Sequence, residues 1–178
     1  YKDDLLLSLD YSQIELRILA SMSNCLPLIE TFNNDEDIHS RTAMDVFNVS
    51  KEFLTPELRR RAKAVNFGII YGISDWGLSE QISSSSKEAK EIINSFYETF
   101  PEVSTFFNNI IQEALKDGYV STLLGRRRYL REIHDSSYQV REFAKRAAMN
   151  APIQGTAADL IKIAMIKFIN CNTPATSK

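Results

Sequence analysis

Apolar positions along the chain recur mostly at three- and four-residue spacing, with two short stretches of strand character. Leu5-Leu6-Leu7-Ser8-Leu9 is an apolar run that stops at Asp10 and reads as a buried strand. Ser12-Gln13-Ile14-Glu15 has the form of a capping box, which predicts a helix to about Ser23. Leu26 to Phe32 and Ile38 to Phe47 are two further short helical patterns. Thr55-Pro56-Glu57 combines a capping hydroxyl, a proline at the first helical position and an acid. The helix it opens should run to Tyr71 and end at Gly72. Ser85, Lys87 and Glu88 open another helix toward Phe100, which Pro101 stops, and one more spans roughly Val103 to Lys116. After an Asp117-Gly118 turn, Tyr119 to Leu123 and Arg128 to Leu130 flank Gly125 as a small hairpin. Ser136 to Asn150 is a basic amphipathic helix that Pro152 should break. Thr156 to Asp159 restart a helix to about Ile169, and the last residues read as a frayed tail.

Composition narrows the class. At 178 residues with 44% hydrophobic and 25% charged positions, the chain is an ordinary folded domain, which rules out collagen, coiled coil and disorder. No apolar run approaches the ~18 residues a membrane span needs, so no membrane partner is expected. The start, Tyr-Lys-Asp-Asp, is neither an initiator methionine nor a signal peptide and reads as a piece of something longer. Cys25 and Cys171 are too few for a disulfide framework and too far apart for a metal pair, which predicts a reducing, cytoplasmic setting.

The net charge of −2 conceals an asymmetry. Residues 1–58 hold four basic residues against eleven acidic ones, whereas residues 59–178 hold seventeen against twelve. The positive charge is clumped at Arg59-Arg60-Arg61-Ala62-Lys63, at Arg126-Arg127-Arg128 with Arg131, and at Arg141 with Lys145-Arg146. Any one cluster fits a solvated face; three in one small chain lean toward a polyanionic partner.

Within the helix from Pro56, Arg59, Lys63, Phe67 and Tyr71 recur every four residues and share one face, cationic first and aromatic later. At ~1.5 Å per residue they span roughly 18 Å, about the length of an extended nucleoside triphosphate. Gly68 costs ~1 kcal/mol against alanine in a helix, a cost that fits close approach by a base or another backbone. The same pattern also fits a plain amphipathic helix with Phe67 and Tyr71 in the core. Asp10, at a strand end facing a helix start, is either a cation ligand or a turn residue with Ser12 and Glu15 as caps. His39 after Asp35-Glu36-Asp37 reads as capping or packing.

Four segments go beyond these generic patterns. Asp10-Tyr11-Ser12-Gln13-Ile14-Glu15-Leu16-Arg17 resembles motif A of the family A DNA polymerases, and Arg59-x3-Lys63-x2-Asn66-Phe67-Gly68-x2-Tyr71-Gly72 resembles motif B. Thr122-Leu123-Leu124-Gly125-Arg126-Arg127-Arg128-Tyr129 and Asn150-Ala151-Pro152-Ile153-Gln154-Gly155-Thr156-Ala157-Ala158-Asp159 resemble the same family in order and spacing. The resemblance implies template-directed addition of deoxynucleoside triphosphates to a primer 3′ end, in replication or repair, by a two-Mg²⁺ mechanism. Asp10 would then be a catalytic metal ligand and Tyr11 would lend a carbonyl. Arg59 and Lys63 would hold and neutralise the triphosphate, helped by His39 and by the main chain near Gln13. Phe67 would meet the sugar and base, Tyr71 the nascent pair, and Glu15 would exclude a ribose 2′-hydroxyl. Arg146, Asn150 and Gln154 would approach primer–template DNA, and Arg126, Arg127 and Arg128 its backbone.

The fold so implied is α+β and predominantly helical, the fingers plus part of the palm of a right-hand polymerase. Residues 1–32 would be partial palm, 33–135 fingers, 136–170 palm-side helices on the primer–template, and 171–178 a tail. The resemblance further implies a monomer in a bacterial or phage-infected cell, or an organelle. The family's motif C, with the second metal-binding aspartate, has no counterpart here, because no acidic residue follows Asp159. The chain therefore reads as a fragment with little activity alone, or as an inactive truncation that binds nucleotide or DNA.

Overall fold

The computed structural model describes residues 8–172. Its elements are α1 (Ile14–Ser23), α2 (Leu26–Asn33), α3 (Ile38–Val46), α4 (Pro56–Ile70), α5 (Asp75–Ile82), α6 (Ser86–Thr99), α7 (Pro101–Asp117), β1 (Tyr119–Ser121), β2 (Arg127–Tyr129) and α8 (Tyr138–Asn172). Short 3₁₀ turns precede α4 and follow β2. The two strands pair antiparallel, with Val120 opposite Arg128, so the fold is mostly helical with one small hairpin. Among the described residues no helix is long and apolar enough to cross a membrane.

One apolar core joins the helices. Leu19, Ile38, Val65, Ile69, Ile70, Leu78, Phe96, Phe100, Val103, Ile133 and Ile153 are all essentially inaccessible to solvent. Each such side chain is worth about 1.5–3 kcal/mol of burial. Phe96 and Phe100 pack with ring centroids 4.9 Å apart and planes tilted by 57° where α6 hands over to α7. Cys25 is free and buried, and burial pushes its thiol up to about 11.

Several boundaries follow the predicted signals. Thr55 Oγ1 accepts the Leu58 N–H at 3.2 Å, and Ser85 Oγ accepts that of Glu88 at 3.1 Å, so both helices start with a hydroxyl cap. Tyr71 closes α4, and Gly72 follows at φ +63. The Ile73 N–H bonds to the Gly68 carbonyl at 2.9 Å and the Gly72 N–H to that of Ile69 at 3.1 Å, which is a Schellman stop.

Two expectations are corrected, a third lies mostly outside the described residues, and a fourth gains a named neighbour. Leu5, Leu6 and Leu7 of the expected strand lie outside the described residues, while Ser8–Asp10 have no regular structure and Leu9 is exposed. A strand needs a hydrogen-bonding neighbour, and among the described residues β1 and β2 pair only with each other. Ser12 does not cap α1: Gln13 takes the cap position in the left-handed region at φ 55, and the Ser12 carbonyl accepts Arg17 Nε instead. Pro152 does not break α8, which runs on as a single helix of 35 residues. Proline removes one ladder bond, but Ala148, Ile153, Thr156 and Ala157 are buried on either side and hold the helix through it. Finally, the nearest protein neighbour of Gly68 is a side chain, that of Ile73, and Gly68 also lines the cleft between Phe67 and Trp76. A Cβ there would stand 2.6 Å from Ile73 Cγ2, because the Schellman turn folds Ile73 back over the helix end.

Gly68→Ala should therefore destabilise the protein despite alanine's better helix propensity. The expected loss is about 1–3 kcal/mol, since a branched side chain must move, and urea unfolding measures it. A gain in stability would mean that Ile73 is free to yield.

Candidate functional site

α4 satisfies two demands at once. Ala62, Val65, Asn66, Ile69 and Ile70 are buried, while Arg59, Lys63, Phe67 and Tyr71 face outward. The plain core reading of Phe67 and Tyr71 is thereby excluded, because they are 38% and 45% exposed. Packing of α3 against α4 sets the neighbours of the outer face. His39 lies 6.0 Å from Phe67 between ring centroids, and Lys63 Nζ lies 5.9 Å above the same ring. His39, Lys63 and Phe67 thus form one cluster.

His39 is itself buried and anchored from behind. The Asn66 amide nitrogen lies 3.1 Å from His39 Nδ1, and the Thr42 hydroxyl lies 3.1 Å from the Asn66 carbonyl oxygen. An amide N–H donates, so Nδ1 is the acceptor and the ring proton sits on Nε2. Burial holds the His39 pKa below its ordinary value of 6.5, and Arg59 and Lys63 reinforce this against the opposing pull of Asp37. The ring is neutral at pH 7, with one N–H to donate.

At the cationic end, Arg59 grips Asp37 with two parallel bonds of 2.8 and 2.9 Å. Burial of Asp37 works against its charge, but Arg59 and Ser40 outweigh it and hold the carboxyl well below the usual range. At the other end, the Tyr71 hydroxyl donates to Glu15 Oε2 at 3.1 Å and ties α4 to α1. Partial burial, then the Glu15 carboxylate, raises the Tyr71 pKa. Gln13 is half-buried at the start of α1, and its carbonyl accepts the Arg17 N–H at 3.1 Å.

α8 completes this face. Arg146, Asn150 and Gln154 are spaced every four residues along it. Arg146 packs on Gly72, where a Cβ would meet its Cγ at 2.9 Å, and the Asn150 amide reaches the Ile70 carbonyl at 3.5 Å. Phe67, Tyr71, Trp76 and Arg146 line a cleft of about 620 Å³. Trp76 and α5 escaped the sequence reading, although Ser74, whose hydroxyl accepts the Gly77 N–H at 3.1 Å, is a legible cap.

The hairpin packs on α8 further along, at Gly155, Thr156 and Asp159. Arg126 donates to Asp159 Oδ1 at 3.0 Å and to the Gly155 carbonyl at 2.9 Å, and the Thr122 hydroxyl donates to Asp159 Oδ2 at 2.8 Å. A Cβ on Gly155 would come within 2.5 Å of Thr122 Cγ2, so the helix and the turn are in contact. Arg127 instead stacks over Tyr119 at 4.5 Å. Arg126, Arg127 and Arg128 share a cleft of about 390 Å³ with Gln154. Of the residues expected at the DNA, Gln154 thus joins the arginines, whereas Arg146 joins Phe67 and Tyr71.

Asp10 and Tyr11 are exposed, and among the described residues no group of three or more His, Cys, Asp or Glu gathers as a metal cage. Carboxylate and carbonyl oxygens suit a hard divalent cation, but one carboxylate is too few for two ions. Asp159 is committed to Thr122 and Arg126.

The sequence profile of DNA polymerase family A matches residues 1–175. The chain belongs to family A of the DNA polymerases. It is 56% identical over 164 residues to a DNA polymerase I of Bacillus caldotenax and 54% identical over 165 residues to that of Bacillus subtilis strain 168. These alignments take in 92% and 93% of this chain but 19% of each relative, so the chain spans about a fifth of their length. Among solved structures it is similar to the POL domain of Pol1 from M. smegmatis in complex with DNA primer-template and dNTP. That likeness has a TM-score of 0.84 at 51% identity and covers 90% of this chain and 29% of the other.

The buried histidine yields a signed pH prediction. A folded pKa below the unfolded one means that His39's contribution is complete above about pH 6.5 and is lost as pH falls through the folded pKa. Stability should therefore drop between pH 7 and pH 5, and His39→Gln should flatten that slope in thermal melts. An unchanged slope would mean that His39 protonates freely in the folded chain.

Proposed function

We propose that this chain provides the nucleotide-selecting part of a DNA-directed DNA polymerase, a nucleotidyltransferase that extends a primer with deoxynucleoside triphosphates. The observation that carries the reading is the outer face of α4. Arg59 and Lys63 precede Phe67 and Tyr71, with His39 6.0 Å from Phe67 and Glu15 held by Tyr71. Lys63, Arg59 and the Nε2–H of His39 offer charge and donors to a triphosphate. Phe67 offers an apolar ring to sugar and base, and Tyr71 an edge of the cleft that would take the nascent pair. Glu15, fixed by the Tyr71 hydroxyl, makes a wall where a 2′-hydroxyl would have to fit.

On the nucleic-acid side, Arg127 and Arg128 would meet phosphates, with Arg126 bracing the hairpin against α8. Gln154, in the same cleft, would read minor-groove acceptors, which are shared by all base pairs and so suit an enzyme that must ignore sequence. Arg146 and Asn150 would approach the template beside Tyr71. Residues 1–32 and the α8 region then serve as palm and residues 33–135 as fingers, in a monomer placed with its DNA in the cytoplasm. Mg²⁺ is the divalent cation suited to the oxygens of Asp10 and Tyr11 and would supply charge neutralisation when bound. This chain's own residues bind, orient and exclude.

Selectivity tests the placement. With this segment set into the Bacillus caldotenax polymerase in place of its matching stretch, Glu15→Ala should admit ribonucleotides. Phe67→Tyr should improve dideoxynucleotide incorporation, because a new hydroxyl stands where the sugar lacks one. Each change should be roughly tenfold or more, the scale of one steric or hydrogen-bonding group in a pocket. Single-turnover incorporation measures both, and unchanged selectivity in both would overturn the placement.

A further inference from the structure

The three arginines that open α4 are each matched with a carboxylate, but in different surroundings. Arg60 pairs with Glu57 on its own helix, and Arg61 pairs with Glu88 of α6. Arg59 alone reaches the start of α3, two residues before His39, where Asp37 takes its Nε and one terminal nitrogen at 2.8 and 2.9 Å. Asp37 is no loose surface acid. Its Oδ2 also accepts the Ser40 N–H at 2.9 Å and the Ser40 hydroxyl at 2.5 Å, which caps α3. The carboxylate is therefore fixed by the helix that carries His39, and it fixes Arg59 in turn.

We propose that Asp37 is a positioning residue for triphosphate capture, holding the Arg59 guanidinium in one orientation beside His39 and Lys63. The inference rests on the nucleotide-binding reading of the α4 face. Two of the five guanidinium N–H groups are used on Asp37, and three remain for phosphate oxygens. An unrestrained arginine would lose its rotamer freedom on gripping a phosphate, and here that freedom is lost beforehand. The carboxylate also repels a triphosphate. However, Arg59 and Asp37 side chains are 46% and 35% exposed, so the high dielectric of water weakens that repulsion, while the two contact hydrogen bonds set the plane of the guanidinium.

The test is triphosphate affinity of the 178-residue chain, using Trp76, its single tryptophan, as the reporter in the cleft beside Phe67 and Tyr71. The probe is deoxyadenosine triphosphate with Mg²⁺. Asp37→Asn keeps a good helix cap and removes the charged fork partner. It should weaken binding roughly threefold to tenfold, the scale of an oriented charge-assisted bond, with the melting temperature nearly unchanged. Asp37→Ser, which also caps, is read the same way should the asparagine variant melt early. In an Arg59→Lys background, where no fork exists to be oriented, Asp37→Asn should change affinity less than twofold. Unchanged or tighter binding by both Asp37 variants would overturn the proposal, and so would an equal loss in the lysine background. Failure of the underlying reading looks different. There, wild type shows no saturable change, or Arg59→Ala and Lys63→Ala both bind as wild type does.

Discussion

The structure turns on one constraint: α4 must be a core helix and a working surface at once. Its inner face buries Val65, Ile69 and Ile70, while its outer face carries two cations and two aromatic rings at four-residue spacing. A helix that packed less firmly would not hold Arg59 and Tyr71 roughly 18 Å apart along one line. The Schellman stop at Gly68, Gly72 and Ile73 sets where that line ends, and Arg146 leans on the same glycine turn. The shape of the cleft therefore follows from the way the helix terminates.

Around that helix, polar groups are spent on orientation more than on stability. Asn66 is 1% exposed and spends its amide on His39 and Thr42, which settles which imidazole nitrogen faces outward. Tyr71 holds Glu15, Asp37 holds Arg59, and Asp159 holds Arg126. Exposed ion pairs contribute only about 0–1 kcal/mol each to folding. Their effect here is that long side chains are held in one arrangement. Asp37–Arg59 and Glu57–Arg60 join the acidic N-terminal third to the basic remainder, and Arg146 and Arg126 to Arg128 line the two clefts.

Much of this was legible in the residues, and the exceptions have physical causes. Caps at Thr55 and Ser85 and the turn at Gly118 are local chemistry, so the helices around them are readable from sequence. The outward face of α4 was visible as a period, but the burial of His39 was not, because it depends on α3 meeting α4. Pro152 misled because breaking a helix is a local tendency, and burial on both flanks overrode it. The capping box at Ser12 failed because Gln13 adopts a left-handed backbone that no side-chain pattern announces. Motif spacing carried the family assignment, whereas the partner of each site residue required the fold. Arg126, Arg127 and Arg128 look alike in sequence and are held quite differently in space.

The central claim is that the outer face of α4 receives a nucleoside triphosphate. Amide and side-chain NMR shifts of the isotopically labelled chain, titrated with deoxynucleoside triphosphate and Mg²⁺, test it residue by residue. The account predicts saturable shifts concentrated at Arg59, Lys63, Phe67, Tyr71 and His39. Shifts confined to Arg126–Arg128, or spread evenly over every basic cluster, would show that α4 is only a charged surface and would contradict it.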